Sequence, residues 1–255
     1  MKYPISPAEG DQTPFTMVAR QKALDTLKLQ DKSNVTRLYE ALQAVEKEQK
    51  VSTNRHCPIL NDGNPKHKYA GGYGLTVNRN CTGISQSAVY KKTSEEDVKA
   101  LNNLAKGMEY LFRMNGDVKA VNLAEAIPSV VEYPAIGRCK IYSGLATGTN
   151  VYLPVHVDKD FISSLVMVLK REACEQDDEV VAYFCFPELG TAVPLRPGDV
   201  LIFNPREPHC LSSRCHADDE IVCLSLYLKS AVVGLNDNSL PLTAKQEKLA
   251  TLYDS

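Results

Sequence analysis

The run Val155-His156-Val157-Asp158 sets an imidazole and a carboxylate two residues apart. Residues at i and i+2 of a strand share a face, so both side chains can reach one cation. His209 opens a later apolar run and is the third ligand candidate. Two imidazoles and one carboxylate bind a metal on one side and leave positions open, an arrangement suited to iron(II) that must also take a co-substrate and dioxygen. The bland alternatives are a surface strand histidine beside the charged Asp158-Lys159-Asp160 turn for His156, and a loop residue after Pro208 for His209. His56, His67 and His216 sit in polar context and read as solvated. Cys210, Cys215 and His216 lie close together, but their spacing matches no zinc pattern.

Such a trio needs strands to carry it. From about Gly137 short apolar runs follow one another: Cys139 to Tyr142, Asn150 to Val155, Ser163 to Leu169, Val180 to Phe186, Thr191 to Leu195, Val200 to Phe203, His209 to Ser213 and Ile221 to Leu228. Gly144, Gly148, Asp177-Asp178, Gly190 and Pro197-Gly198-Asp199 read as the turns between them. Many short strands with regular turns predict an antiparallel sandwich or barrel. The continuous run from Val180 to Phe186 predicts a strand covered on both faces. A jelly roll would fold His209 back onto His156 and Asp158.

Upstream, Val35, Leu38, Tyr39, Leu42 and Val45 recur at helical spacing between Asn34 and Lys47, with Asn34 or Ser33 as the N-cap. Ser94 opens a second helix, whose Glu95, Glu96 and Asp97 favour the positive end of its dipole. Its stripe is Val98, Leu101, Leu104, Ala105, Met108, Leu111 and Phe112. A short helix follows from Asp117 to about Ile127, where Pro128 stops it. The segment from Thr53 to Gly83 reads as loop or irregular strand. The fold class is therefore α+β: a double-stranded β-helix (jelly roll) with supporting N-terminal helices. Residues 1–136 form the support, 137–230 the core, and 231–255 a tail packed on or beside it.

The His-x-Asp, the later His209, and the run Leu195-Arg-Pro-Gly-Asp-Val-Leu-Ile-Phe-Asn204 together resemble the iron(II)/2-oxoglutarate dioxygenase superfamily. The similarity spans about Arg138 to Lys229. His156-Val-Asp158 with Phe161, and Phe203-Asn-Pro-Arg-Glu-Pro-His209-Cys-Leu-Ser-Ser-Arg214, look nearest to Tet/JBP-like members, with prolyl-hydroxylase-like members second. The resemblance implies iron(II) on His156, Asp158 and His209, 2-oxoglutarate as a small-molecule co-substrate, dioxygen, and hydroxylation of a C–H bond, with a nucleobase among the candidate substrates. It requires no catalytic residue beyond the metal ligands.

One part of that pattern is missing. Relatives place a basic residue after the distal histidine to pair with 2-oxoglutarate, yet Asp218 to Leu226 contains none. Arg214 is the leading candidate because its fork matches a carboxylate, although a bulge would be needed to turn it inward. Lys170, Arg171 and Lys229 are the others. Tyr142, Asn150 and Tyr152 could line the pocket mouth, or the tyrosines could serve packing alone. Arg206 and Glu207 stand at the entrance or in solvent. Two rival functions remain: a metal-free jelly-roll binding module, and a cupin-type metalloenzyme that does not use 2-oxoglutarate. Cupins usually carry His-x-His, which disfavours the second.

Composition sets outer bounds. The net charge of -2 over 255 residues supplies no overall field for nucleic acid or anionic membrane, although a local basic groove would still permit nucleic acid. No apolar stretch approaches the ~20 residues that span a bilayer, so no membrane partner is expected. The start lacks an apolar signal core, and the eight cysteines form no Cys-x-x-Cys pair. The expectation is an intracellular protein, cytoplasmic or nuclear, with reduced thiols.

Overall fold

The computed structural model describes residues 14–48, 70–77, 84–126, 141–150, 153–213 and 221–235. Eight strands are divided between two facing sheets, crossing from one to the other at every step except the β7–β8 hairpin. β4 (Gly144–Thr149), β6 (Ser164–Leu169), β9 (Val200–Phe203) and β11 (Val222–Tyr227) lie in one; β5 (Leu153–His156), β7 (Ala182–Phe186), β8 (Thr191–Leu195) and β10 (His209–Ser213) form the other. The hydrogen-bonded orders are β9-β6-β11-β4 and β5-β10-β7-β8, with every pairing antiparallel. Consecutive strands that cross between two four-stranded sheets in this order make a double-stranded β-helix, the expected α+β jelly roll.

The larger sheet draws further strands from the N-terminal part. β1 (Phe15–Met17) pairs with β9 at one edge, while β2 (Ala70–Val77) and β3 (Ile84–Gln86) continue beyond β4 at the other. Sequence pattern left 53–83, which holds β2, as loop or irregular strand and predicted no other strand before Cys139, because β1 and β3 have three residues each and β2 begins Ala-Gly-Gly-Tyr-Gly. Tertiary pairing, rather than propensity, makes these strands.

Helices cover the outer face of this sheet. α1 (Arg20–Leu27), α2 (Lys32–Lys47), α4 (Glu95–Asn115) and α5 (Val118–Ala126) lie in the N-terminal half, with the short α3 (Ala88–Lys92) between β3 and α4. α2 packs on β4 and against α4. The predicted stripes are the buried faces: Val35, Leu38, Tyr39, Leu42 and Val45 on α2, and Leu101, Leu104, Met108, Leu111 and Phe112 on α4. Asp31 caps α2 by accepting from Ser33 N–H at 2.9 Å, which moves the start ahead of Ser33 and Asn34. Ser94 caps α4 as expected, accepting from Asp97 N–H at 3.1 Å. Ser230–Leu235 forms α6, whose Val232 packs with Leu75 of β2.

Two layers of core result, and β6 shows why its sequence is uniformly apolar. Leu165, Met167 and Leu169 join the helix-facing core, whereas Val166 and Val168 join the core between the sheets. β9 divides likewise, with Val200 and Ile202 outward and Leu201 and Phe203 inward. The expectation that Val180 to Phe186 is covered on both faces does not hold. In β7 Ala182, Phe184 and Phe186 are buried while Tyr183 and Cys185 are half-buried, because among the described residues the helices pack on the other sheet.

The start of the core also differs from the sequence reading. Ile141 and Tyr142 precede β4 rather than forming a strand, and Gly144 and Gly148 lie inside it rather than at turns. A Cβ on Gly144 would meet Tyr227 Cε2 at 2.5 Å, so the missing side chain lets the paired strand lay its aromatic ring across the backbone. The turn falls at Asn150, whose φ of 51° is left-handed. The next strand is only Leu153–His156.

Candidate metal centre

The opposing register of β5 and β10 builds the centre. His156 ends β5, His209 begins β10, and their Cα atoms are direct cross-strand partners. Their ring centroids lie 4.4 Å apart. β5 stops before Asp158, so strand alternation alone does not place that carboxylate. Its backbone N–H donates to Pro205 O at 2.9 Å, tying the segment after β5 to the segment before β10.

The side chains converge. Asp158 Oδ2 stands 3.6 Å from Nε2 of His156 and 3.6 Å from Nε2 of His209. These distances are too long for hydrogen bonds. They suit ligands of one ion, since two donors each about 2.1 Å from a metal lie at most ~4.2 Å apart. One ligand atom from each of the three residues falls within 4.8 Å of the others, the one such group of three or more among the described residues.

Both imidazoles are held in the tautomer that a metal requires. His156 Nδ1 lies 2.7 Å from Pro154 O, and His209 Nδ1 lies 2.7 Å from Glu207 O. A carbonyl can only accept, so each Nδ1 carries the proton and each Nε2 turns its lone pair to the centre. His209 is 2% exposed. Phe184 stacks on its ring at 5.3 Å and Phe203 meets it edge-on at 4.9 Å. Burial pushes the Asp158 carboxyl up, but in the metal-free protein the two facing imidazoles, when they also carry a proton on Nε2, more than offset this and hold it below the usual carboxylate range; a metal would take the place of those Nε2 protons. The carboxylate is thus ready to ligate.

A bulge aims β5 at the cavity. Leu211 pairs with Leu153 and His209 with His156, so β5 has one more residue than β10 between the two pairings. Leu153 and His156 consequently both line the cavity although they are three apart. Pro154 suits the irregularity because it has no N–H to place in a ladder.

The cavity lies between the sheets and has about 580 Å³ of space including its mouth. The three candidate ligands line it with Phe184 and Phe203, and the larger sheet adds Thr147, Cys223, Ser225 and Tyr227. Thr147 is buried, and its hydroxyl has no hydrogen-bond partner. No Lys or Arg is among the described lining residues.

The structure separates the other candidates. Tyr142 faces the helices rather than the cavity: its ring meets Phe112 at 5.9 Å and its hydroxyl donates to Ser163 O at 3.3 Å. Asn150 closes the turn, its Oδ1 accepting from Ile221 N–H at 2.9 Å. Tyr152 and Arg214 lie outside the described residues, as do His56, His67, Cys215 and His216. The bulge invoked for Arg214 does not occur from Cys210 to Ser213, which pair with β7 without a break.

Lys170 pairs with Asp177 and Glu179 at 3.2 Å each, and Arg171 with Glu40 at 3.6 Å. Lys229 lies two residues beyond Tyr227, the last residue of β11, and forms an isolated β-bridge with Asp160. Its ammonium lies 5.5 Å from the Tyr227 ring centroid. Arg206 and Glu207 line a neighbouring groove. The aromatic packing around His209 and the hydroxyl-bearing wall were not singled out from the sequence. Alternation along β7, β9 and β11 carried that signal.

No protein-family profile and no curated protein matches the chain. Solved structures similar to it include prolyl hydroxylases, a member of the 2OG-Fe(II) oxygenase family and an RmlC-like cupin. NgTET1 in complex with 5mC DNA is 14% identical, with 79% of this chain and 91% of that chain covered and a TM-score of 0.49. A prolyl hydroxylase from Trichoplax adhaerens, in complex with a hypoxia inducible factor peptide, is 12% identical over 87% of this chain and 86% of that one, with a TM-score of 0.43. The viral collagen prolyl hydroxylase of Paramecium Bursaria Chlorella virus-1 is 10% identical over 90% and 96%, with a TM-score of 0.41. Among the described residues no helix is long and apolar enough to cross a membrane.

Proposed function

We propose that this chain is an iron(II)/2-oxoglutarate-dependent oxygenase that hydroxylates a C–H bond, with His156, Asp158 and His209 as the metal ligands. The observation that carries this reading is the convergence of two Nε2 lone pairs and one ionised carboxylate at a cavity wall. Two imidazoles and one carboxylate fit non-haem iron(II), which supplies the activation of dioxygen when bound.

The chain's own residues orient and enclose. Pro154 and Glu207 carbonyls fix the imidazoles, Pro205 holds the Asp158 backbone, and Phe184 and Phe203 keep water from the buried side of His209. Of the described basic residues, Lys229 is the one we assign to the distal carboxylate of 2-oxoglutarate. It lies two residues beyond the cavity-lining Tyr227 at the end of β11, and burial lowers its pKa while Asp160 opposes that shift.

Anaerobic addition of iron(II) and then 2-oxoglutarate should give a weak visible charge-transfer band, and admission of air should give succinate. A protein that binds iron(II) but shows neither result would instead be a metalloprotein that does not use 2-oxoglutarate. Failure to bind iron(II) would leave the metal-free module.

A further inference from the structure

Cys185 and Cys210 are direct cross-strand partners on β7 and β10. Opposed residues of an antiparallel pair have Cα atoms about 4.5–5.5 Å apart, inside the ~4.4–6.8 Å span that a disulfide needs. Both side chains point away from the cavity, since their neighbours Phe184, Phe186, His209 and Leu211 are the buried members of each strand. Both thiols are half-buried and reduced, on a sheet face that no described helix covers. Two sulfurs are thus held side by side, within reach of small solutes, with Cys210 next to His209 in the chain.

We propose that Cys185 and Cys210 are a redox modification site, at which hydrogen peroxide or a related hydroperoxide closes a reversible cross-strand disulfide. The thiolate of one cysteine displaces hydroxide from peroxide, breaking the O–O bond and becoming a sulfenic acid. The partner sulfur, directly opposite across the strand pair, then attacks that sulfur. The S–S bond forms, the S–O bond breaks, and hydroxide leaves with the partner thiol's proton as water. Two thiols have lost two electrons, and one peroxide has become two waters.

The other described cysteines cannot substitute. Cys174 and Cys223 are buried, and burial pushes both thiols up to about 12. Cys223 also belongs to the opposite sheet. Because β10 carries His209 immediately before Cys210, closing the bridge would tighten β10 on β7 beside the candidate metal ligand. The disulfide itself does not depend on the oxygenase reading.

The test uses the full-length reduced protein, metal-free, treated with increasing peroxide, then alkylated and mapped by mass spectrometry without reduction. The expected result is a cross-linked peptide pair joining Cys185 to Cys210 that has lost two hydrogens, appears at stoichiometric peroxide and disappears with dithiothreitol. Cys185→Ser and Cys210→Ser proteins should each lose the cross-link and leave the partner as a sulfinic acid in excess oxidant. A cross-link from either residue to Cys215 or another cysteine instead would overturn the pairing. So would separate oxidation of Cys185 and Cys210 in the wild-type protein, or no reaction of either. Cobalt(II) titration of the oxidised and reduced proteins reads the coupling to His209, with a change in affinity expected on oxidation. An unchanged affinity would confine the site to the outer face.

Discussion

His156 and His209 oppose each other directly across β5 and β10, with ring centroids 4.4 Å apart and each Nδ1 bound to the carbonyl two residues before it. The same local device is used twice, and it fixes both Nε2 atoms on one side. Strand pairing supplies the separation between the rings; the local carbonyls supply the tautomer.

That arrangement makes the three side chains interdependent as metal donors. His156→Ala, Asp158→Ala and His209→Ala should each abolish tight binding of iron(II) or cobalt(II), measured by calorimetry under anaerobic conditions. His209 packs between Phe184 and Phe203, so its alanine variant also loses core contacts, and His209→Gln serves as the volume-matched control. Tight metal binding by a folded Asp158→Ala protein would remove the carboxylate from the ligand set.

Much of this site was legible because ligand chemistry and strand periodicity point the same way. The bounds of β9 and β10 coincide with their apolar runs, and those of β6, β7 and β11 fall within one or two residues. His-x-Asp reads correctly even though β5 ends at His156, because burial continues to alternate: Val155 and Val157 are 58% and 52% exposed while His156 and Asp158 face inward. Features set by distant partners could not be read this way. Gly144 resembles a turn residue until Tyr227 is seen lying across it, and β1 is only an edge strand because β9 offers it hydrogen bonds. The Pro197-Gly198-Asp199 turn was legible as local chemistry: Gly198 has φ 84°, and Asp199 accepts from Arg196 N–H at 2.9 Å. Its ion pair with Arg20, at 3.0 Å, was not.

Gly144→Ala tests the close approach. Its Cβ would have to displace the Tyr227 ring or separate β4 from β11, and overpacking of this kind costs about 1–3 kcal/mol. The melting temperature should fall, and the double variant Gly144→Ala/Tyr227→Leu should recover part of that loss. Equal additive losses in the double variant would show that the ring is not the obstacle.

The helical layer gives an independent measure. Ser94 caps the helix that packs on α2, so Ser94→Ala should cost about 1 kcal/mol in chemical denaturation while leaving metal affinity unchanged. Ser94→Asp should restore the cap. A loss of metal affinity in a still-folded Ser94→Ala protein would mean that the helices position the site more directly than their contacts indicate.

The most exposed prediction concerns Lys229. A charged pair with a carboxylate in a partly dry cavity contributes roughly 1.5–3 kcal/mol, so Lys229→Met should weaken 2-oxoglutarate binding by about 10- to 150-fold. Iron(II) affinity should hardly change, because its donors lie on other segments. Lys170→Met and Arg171→Met should bind 2-oxoglutarate normally, since their charges already face Asp177, Glu179 and Glu40. Arg214→Met belongs in the same series as the sequence-based candidate. If Arg214→Met loses binding and Lys229→Met retains it, the carboxylate is anchored by Arg214 rather than by Lys229. If all four bind normally, the anchor is not a basic side chain at any of these positions. The hydroxyl groups of Thr147, Ser225 and Tyr227 on the cavity wall then become the next residues to replace.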